Sequence, residues 1–305
     1  MVLIKILVAG GTGFIGRELI RELLTDGHSI VVLTRDKESA LRTLGENAEA
    51  VQWDDSLLLL PTNELENVEA VINLSGESIA GGRWSNDRKE NILSSRINTT
   101  RAIVDAISNQ VIKPKVFINA SAIGFYGPHG DEELTEDDSP GNDFLAEVSK
   151  AWEEEVKKAE AFGVRTAVIR IGLVLGQGGA LKQMLLPYKF YLGGSIGNGK
   201  QWVSWIHIKD LAGIFKYVLN NESLTGPVNG TAPNPVKMKD LSKSIGRVMK
   251  RPSWFTVPSF AIRLVLGEMA DMLLNGQKVL PEKVSDSGYR FRFARIEGAL
   301  KDILH

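Results

Sequence analysis

Three glycines, Gly10, Gly13 and Gly16, carry the spacing that points most directly to chemistry. They follow an apolar, β-branched run from Leu3 to Val8 and precede an amphipathic helical pattern, so they occupy a strand-to-helix turn. At such a turn the first glycine makes the tight bend and the second admits a pyrophosphate close to the backbone. The third lets the helix pack against the strand. The helix start then offers free N–H groups and the positive end of its dipole to the anion. This is the chemistry of dinucleotide binding; the competing reading is a phosphate-free turn. A second signal ends the next strand, Ser29 to Leu33. Where an acid would bond a ribose 2′-hydroxyl, the chain places Arg35, followed by Asp36 and Lys37. An arginine there suits a 2′-phosphate, which favours NADP over NAD, against the simpler reading of a solvated loop charge.

Other chemistries are excluded by what the chain lacks. It has no cysteine, so disulfides, thiol nucleophiles and thiolate metal sites are out, and four scattered histidines suggest no metal site. Thirty-six basic against 37 acidic residues give a net charge of −1, without the field that nucleic acid or an anionic membrane would need. No apolar run reaches the length of a membrane span, and the chain runs straight into a strand without a charged-then-apolar leader. A cytoplasmic protein with a small-molecule substrate is expected, as monomer or homodimer, with neither nucleic acid nor membrane as partner.

The elements that must position these residues alternate. A first helix spans Phe14 to Thr25 and stops near Gly27. Strands follow at Ala50 to Trp53, at Val68 to Leu74 and at Lys115 to Ala120, with a long helix from Asp87 to Ser108 before the last of these. Leu57 to Pro61 reads as a connecting segment. A polar loop from His129 to Asp143 carries seven acids and is expected to lie over the site; a helix from Phe144 to Phe162 and a strand from Arg165 to Ile171 follow. Strand–helix alternation of this kind predicts an α/β fold with a doubly wound parallel Rossmann sheet. The pattern changes at Leu175 to Gly199, rich in glycine around Tyr188, Phe190 and Tyr191. Trp202 to Ile208 reads as one strand, Asp210 as the N-cap of a helix from Leu211 to Leu219, and Pro227 to Gly230 as a returning strand. Helical patterns at Met238 to Met249 and Phe260 to Asn275 flank an extended piece at Trp254 to Val257. The expected division is a dinucleotide-binding domain over 1–172 with return elements about 206–231. A smaller mixed substrate-capping domain would come from 173–205 and 232–305.

The glycine triplet, the Asn73-to-Glu77 turn, Ser121 to Gly127 and Trp205-Ile206-His207-Ile208-Lys209-Asp210 resemble the extended short-chain dehydrogenase/reductases. More narrowly, the segments 73–80, 95–100, 143–147 and 199–205 resemble an epimerase-like branch of the NAD-dependent epimerase/dehydratase family with its own C-terminal domain of unknown function. The resemblance implies that Gly10, Thr12, Gly13, Phe14 and Ile15 hold the pyrophosphate, with Gly16 completing the motif. Arg35 would take the adenosine phosphate and Asp54 the adenine edge. Leu74, Ser75 and Gly76 would lie along the ribose and nicotinamide side. Lys150 takes the lysine position of the family's Tyr-x-x-x-Lys motif, where an ammonium bonds the nicotinamide ribose.

Two departures qualify that picture. Ala146 stands where the motif's tyrosine belongs, and Ala122 stands where a serine or threonine would assist it. The remaining proton-donor candidates are Tyr126, Ser121 and Glu147, with Glu77 and Arg96 as substrate contacts. Against each stands a structural role: a packed loop aromatic, a backbone-bonding turn residue, an ion pair. Two functions follow. One is an NADP-dependent oxidoreductase or epimerase for a small polar substrate, nucleotide-linked ones included. The other is a regulator that senses NADP(H) without turnover. Loss of both usual catalytic positions favours the second; the aromatic lid and capping domain favour a substrate pocket.

Overall fold

The structure is a computed structural model and describes residues 3–45, 47–53, 60 and 62–305. Asp54, Asp55 and most of the Leu57-to-Pro61 connector lie outside the described residues. In chain order the first half runs β1 (Lys5–Ala9), α1 (Phe14–Thr25), β2 (Ser29–Thr34), α2 (Lys37–Leu44), β3 (Ala48–Gln52), β4 (Ala70–Asn73), α3 (Asn86–Ser108) and β5 (Val116–Ala122). A two-residue β6 (Glu133–Leu134), α4 (Phe144–Lys157) and β7 (Arg165–Ile171) follow. Side chains start these helices where sequence places short polar residues: Ser85 accepts from the Arg88 amide and Asp143 from the Ala146 amide, each satisfying a free N–H of the first turn.

These strands form most of a seven-stranded parallel sheet in the order β3-β2-β1-β4-β5-β7, closed at its far edge by β12 (Gly226–Gly230). Strand alternation sorts the core onto two faces. Ile6 and Val8 join Leu19, Leu23, Phe215 and Val218 on one side; Leu7 and Ala9 join Ile103, Ile107, Phe117 and Val156 on the other. Both faces are buried, which is why the strands read as unbroken apolar runs. The order reverses at β1, whose neighbours are β2 and β4, and the turns after β1 and β4 therefore flank a crevice at the strand ends.

Beyond β7 the chain builds a second layer. β8 (Leu173–Leu175), α5 (Gly179–Lys189), β9 (Gly193–Ile196), β10 (Trp202–Val203) and β11 (Trp205–His207) precede α6 (Ile208–Asn220), which returns to the main sheet before β12. After β13 (Val236–Lys237) and α7 (Met238–Met249) come β14 (Ser253–Val257), α8 (Ser259–Leu266) and α9 (Ala270–Leu274). The chain ends with β15 (Lys278–Val279), α10 (Glu282–Asp286) and α11 (Ile296–Leu304). A separate core of Leu175, Tyr188, Trp205, Leu241, Ile245 and Leu300 holds this layer. Val284, Tyr289 and Phe291, however, pack into the main core.

The expected single strand at 202–208 is two: β10 pairs antiparallel with β13 and β11 parallel with β8, with Ser204 between them. α5 occupies part of the glycine-rich stretch, and the helix expected over 260–275 is broken at Gly267. Asp210 does not cap α6. His207 is the cap, its Nδ1 accepting from the Lys209 amide at 3.1 Å. The Asp210 carboxylate is fully buried and accepts the amides of Arg292 and Phe293, each at 2.8 Å. Among the described residues no helix is long and apolar enough to cross a membrane.

Candidate functional site

The crevice begins at the turn after β1. Gly10 has φ +74°, and a Cβ there would meet the Leu74 carbonyl carbon at 2.8 Å and the Ser75 nitrogen at 2.9 Å. Only glycine lets the β1 and β4 turns touch in this way. Gly16 faces the same constraint from the helix side, with Gly10 O at 2.5 Å from its ideal Cβ. Gly13 is different: among the described residues its only close neighbour is Gly10 O at 3.2 Å, so its outer side is open to them. Among the described residues no side chain caps α1, and its first turn carries no acid. An open glycine at an uncapped helix start is a place where an anion can approach free N–H groups. The ring of Phe14 turns to the second layer, where Gly176, Gly178 and Gly179 close on it; Cβ atoms there would lie 2.8–3.0 Å from ring carbons. Phe14 thus braces the glycine-rich loop, while its amide belongs to the helix start.

Along the crevice, Arg35 is exposed at the end of β2, and among the described residues it has no ion-pair partner. Asp36 instead caps α2 through the Ser39 amide at 2.9 Å. The β4 turn is held from beneath by a residue that sequence reasoning did not single out by role. Asn73, fully buried, accepts from the Ser75 amide at 3.0 Å and donates to Thr100 and Asn119 at 3.1 and 2.7 Å. Thr100 also takes the Trp152 indole N–H at 2.8 Å, so β4, β5, α3 and α4 converge under Leu74–Gly76. An amide at the end of an otherwise apolar strand was the available signal. Glu77 pairs with Arg88 at 2.8 Å, and its amide donates to Ser95. Arg96 flanks Gly76 and lies 5.1 Å over Trp152.

The expected proton donors Tyr126 and Ser121 are tied into a buried hydrogen-bonded network. Tyr126 is 0% exposed; its hydroxyl donates to Asn229 Oδ1 at 2.7 Å and accepts from Arg170 at 3.0 Å. Burial pushes its phenol up to about 12, against the pull of Arg170. Ser121, 3% exposed, donates to Glu153 at 2.7 Å. Glu153 also grips Arg170 in a two-pronged pair at 2.9 and 3.0 Å, and Arg170 stacks 3.4 Å from the Phe125 ring centre. Asn229 continues the chain, its amide donating to Glu136 and its side chain to Leu280 O. Glu136, from the acidic loop, is buried; desolvation raises its pKa, partly offset by bonds from the Asn229 and Lys283 amides. This is a closed polar joint linking β5, β7 and β12 to the acidic loop and the C-terminal segment. Its hydroxyls are spent on protein partners, so the geometry argues against Tyr126 and Ser121 as donors to a substrate. Lys150 and Glu147 are exposed on α4, whereas Ala146 and Ser149 form its buried side, so Lys150 is not drawn into the joint.

Comparison with known proteins adds the lineage. Residues 6–229 match the NAD dependent epimerase/dehydratase family, and residues 257–303 match a domain of unknown function, DUF1731. Epimerase family protein YfhF of Bacillus subtilis is 44% identical over 98% of both chains. The crystal structure of human epimerase family protein SDR39U1 with NADPH is 33% identical, with a TM-score of 0.87 over 98% of this chain and 99% of that one. The UDP-glucose 4-epimerase of Thermotoga maritima shares the fold (TM-score 0.79, 98% and 97% coverage) at 17% identity. With three-quarters of its length inside the family pattern, the chain belongs to the NAD dependent epimerase/dehydratase family.

Proposed function

We propose that the chain binds NADP(H) in the crevice between the β1 and β4 turns and serves as an oxidoreductase or epimerase for a small polar substrate. The observation that carries this is the cradle: an open Gly13 at the uncapped start of α1, wedged against Leu74 and Ser75 through Gly10. Phe14 and Ile15 would present amides to the diphosphate, Gly13 would let it approach the backbone, and Leu74 to Gly76 would border the nicotinamide side. Arg35, exposed and unpaired among the described residues, would take the 2′-phosphate. A related structure that holds NADPH supports the same choice. The nicotinamide supplies hydride when bound; the chain's own residues bind and orient it and exclude water. The two domains outlined from sequence carry into this proposal, the second layer covering the crevice.

A second reading has one observation in its favour. The hydroxyls of Tyr126 and Ser121 are consumed in the polar joint, leaving no usual proton donor, which suits an NADP(H)-sensing regulator. Titration of NADPH and NADH by calorimetry tests the cofactor choice. A charge-assisted contact of Arg35 is worth about 1.5–3 kcal/mol, so NADPH should bind roughly ten- to hundredfold tighter, and Arg35→Ala should erase most of the difference. Equal affinities in the unmodified protein would sink the assignment. Hydride exchange between labelled NADPH and substrates drawn from cell extract then separates enzyme from sensor.

A further inference from the structure

Arg96 is a cation held partly out of water with no ion-pair partner among the described residues. Its Nη1 donates to Ile92 O at 2.8 Å, within its own helix. One face of the guanidinium lies over Trp152, and the side chain presses against Gly76, where a Cβ would come within 3.1 Å of Cζ. Burial lowers its pKa to about 10, partly offset by Glu77, so it stays charged at neutral pH. Glu77 itself is paired with Arg88, and among the described residues no carboxylate forms an ion pair with Arg96. A desolvated guanidinium has five donors and is costly unless an anion meets it. The diphosphate cradle at α1 abuts Leu74 and Ser75, and Arg96 abuts the next residue of the same turn. The crevice therefore carries two successive receptors for anionic oxygen, and the proposed cofactor's diphosphate accounts for the first.

We propose that Arg96 receives a carboxylate or phosphate of the substrate, making the substrate a small acid; this rests on the NADP(H) reading of the same crevice. The guanidinium fork matches either oxyanion in two-pronged fashion, with Trp152 fixing its plane. The glycine at position 76 lets the guanidinium lie directly against the turn.

The test uses the full chain saturated with NADP, with malonate and inorganic phosphate as probes titrated by calorimetry at constant ionic strength. NADPH affinity and thermal melting are measured in parallel on Arg96→Met and Arg96→Lys. Anion binding should weaken about ten- to hundredfold in Arg96→Met and recover in part in Arg96→Lys, while NADPH affinity holds. If Arg96→Met instead loses NADPH affinity, the anion belongs to the cofactor and the substrate class proposed here is overturned. Equal anion binding in all three proteins, or none in the unmodified one, overturns the receptor itself. Failure of the unmodified protein to bind NADPH would sink the cofactor reading, a result distinct from all of these.

Discussion

Tyr126 shows how a residue type that suits catalysis can be used for structure. Its phenol is held by Asn229 and Arg170, and each of those partners depends on it in turn. Tyr126→Phe keeps the ring and its edge contact with Phe125 but leaves Asn229 and Arg170 each one bond short in a buried setting. The expected cost is about 1–3 kcal/mol, read by denaturant unfolding, with NADPH affinity unchanged. Unaltered stability together with lost hydride exchange would restore Tyr126 as the acid. Arg170 was legible as a problem, since an arginine in the apolar run of β7 demands partners. Its partners were not legible, because Glu153 comes from α4 and Tyr126 from a turn far upstream. The glycines were legible for the opposite reason. Gly10 and Gly16 answer to local backbone geometry, which spacing after a strand already encodes.

Elements were legible where their periodicity is local. α1 and α7 match their expected bounds, since each has an apolar stripe complete within its own sequence. The Trp202-to-Ile208 run failed because its division is imposed by two partner strands, β13 and β8, that approach from different directions. The same junction misled the capping assignment. His207 and Asp210 both suit a helix start, and tertiary contacts decided between them: Phe293 stacks on His207, ring centres 4.0 Å apart, while Asp210 is claimed by the tail. His207 lies 3.2 Å from an Asp302 oxygen without hydrogen-bond alignment, and burial outweighs that neighbour, lowering the imidazole to about 4. An unfolded histidine titrates near 6.5, so the unfolded chain binds more protons between pH 6.5 and 4. Stability contributed by the neutral ring is complete above pH 6.5 and is lost as pH falls toward 4, by about 3 kcal/mol in all. Denaturation midpoints across that window should flatten in His207→Asn, which cannot titrate. An unchanged acid limb would assign the pH dependence to other groups.

At the scale of the whole molecule, the two family patterns, 6–229 and 257–303, suggest detachable modules, and the packing says otherwise. The C-terminal segment passes back over the first. Val284 is fully buried in the main core, Tyr289 and Phe291 lie against it, and the amides of Arg292 and Phe293 satisfy the buried Asp210 carboxylate on α6. Leu280 and Lys283 close the polar joint through Asn229 and Glu136. α11 meanwhile lends Ile296, Leu300 and Ile303 to the second core. A chain ending at residue 279 loses all of these together. Deleting four buried aliphatic side chains at roughly 2 kcal/mol or more each already rivals the 5–15 kcal/mol that holds a typical domain. The stranded carboxylate of Asp210 adds to that loss. The truncated protein should therefore show no cooperative melting transition and no fixed aromatic signal by near-ultraviolet circular dichroism. NADPH should not rescue it, because ligand linkage at a thousandfold excess over Kd adds only about 4 kcal/mol. A cooperative melt near that of the full chain, with NADPH still bound, would show that the strand-end crevice is complete without the tail and that the second pattern is an independent cap.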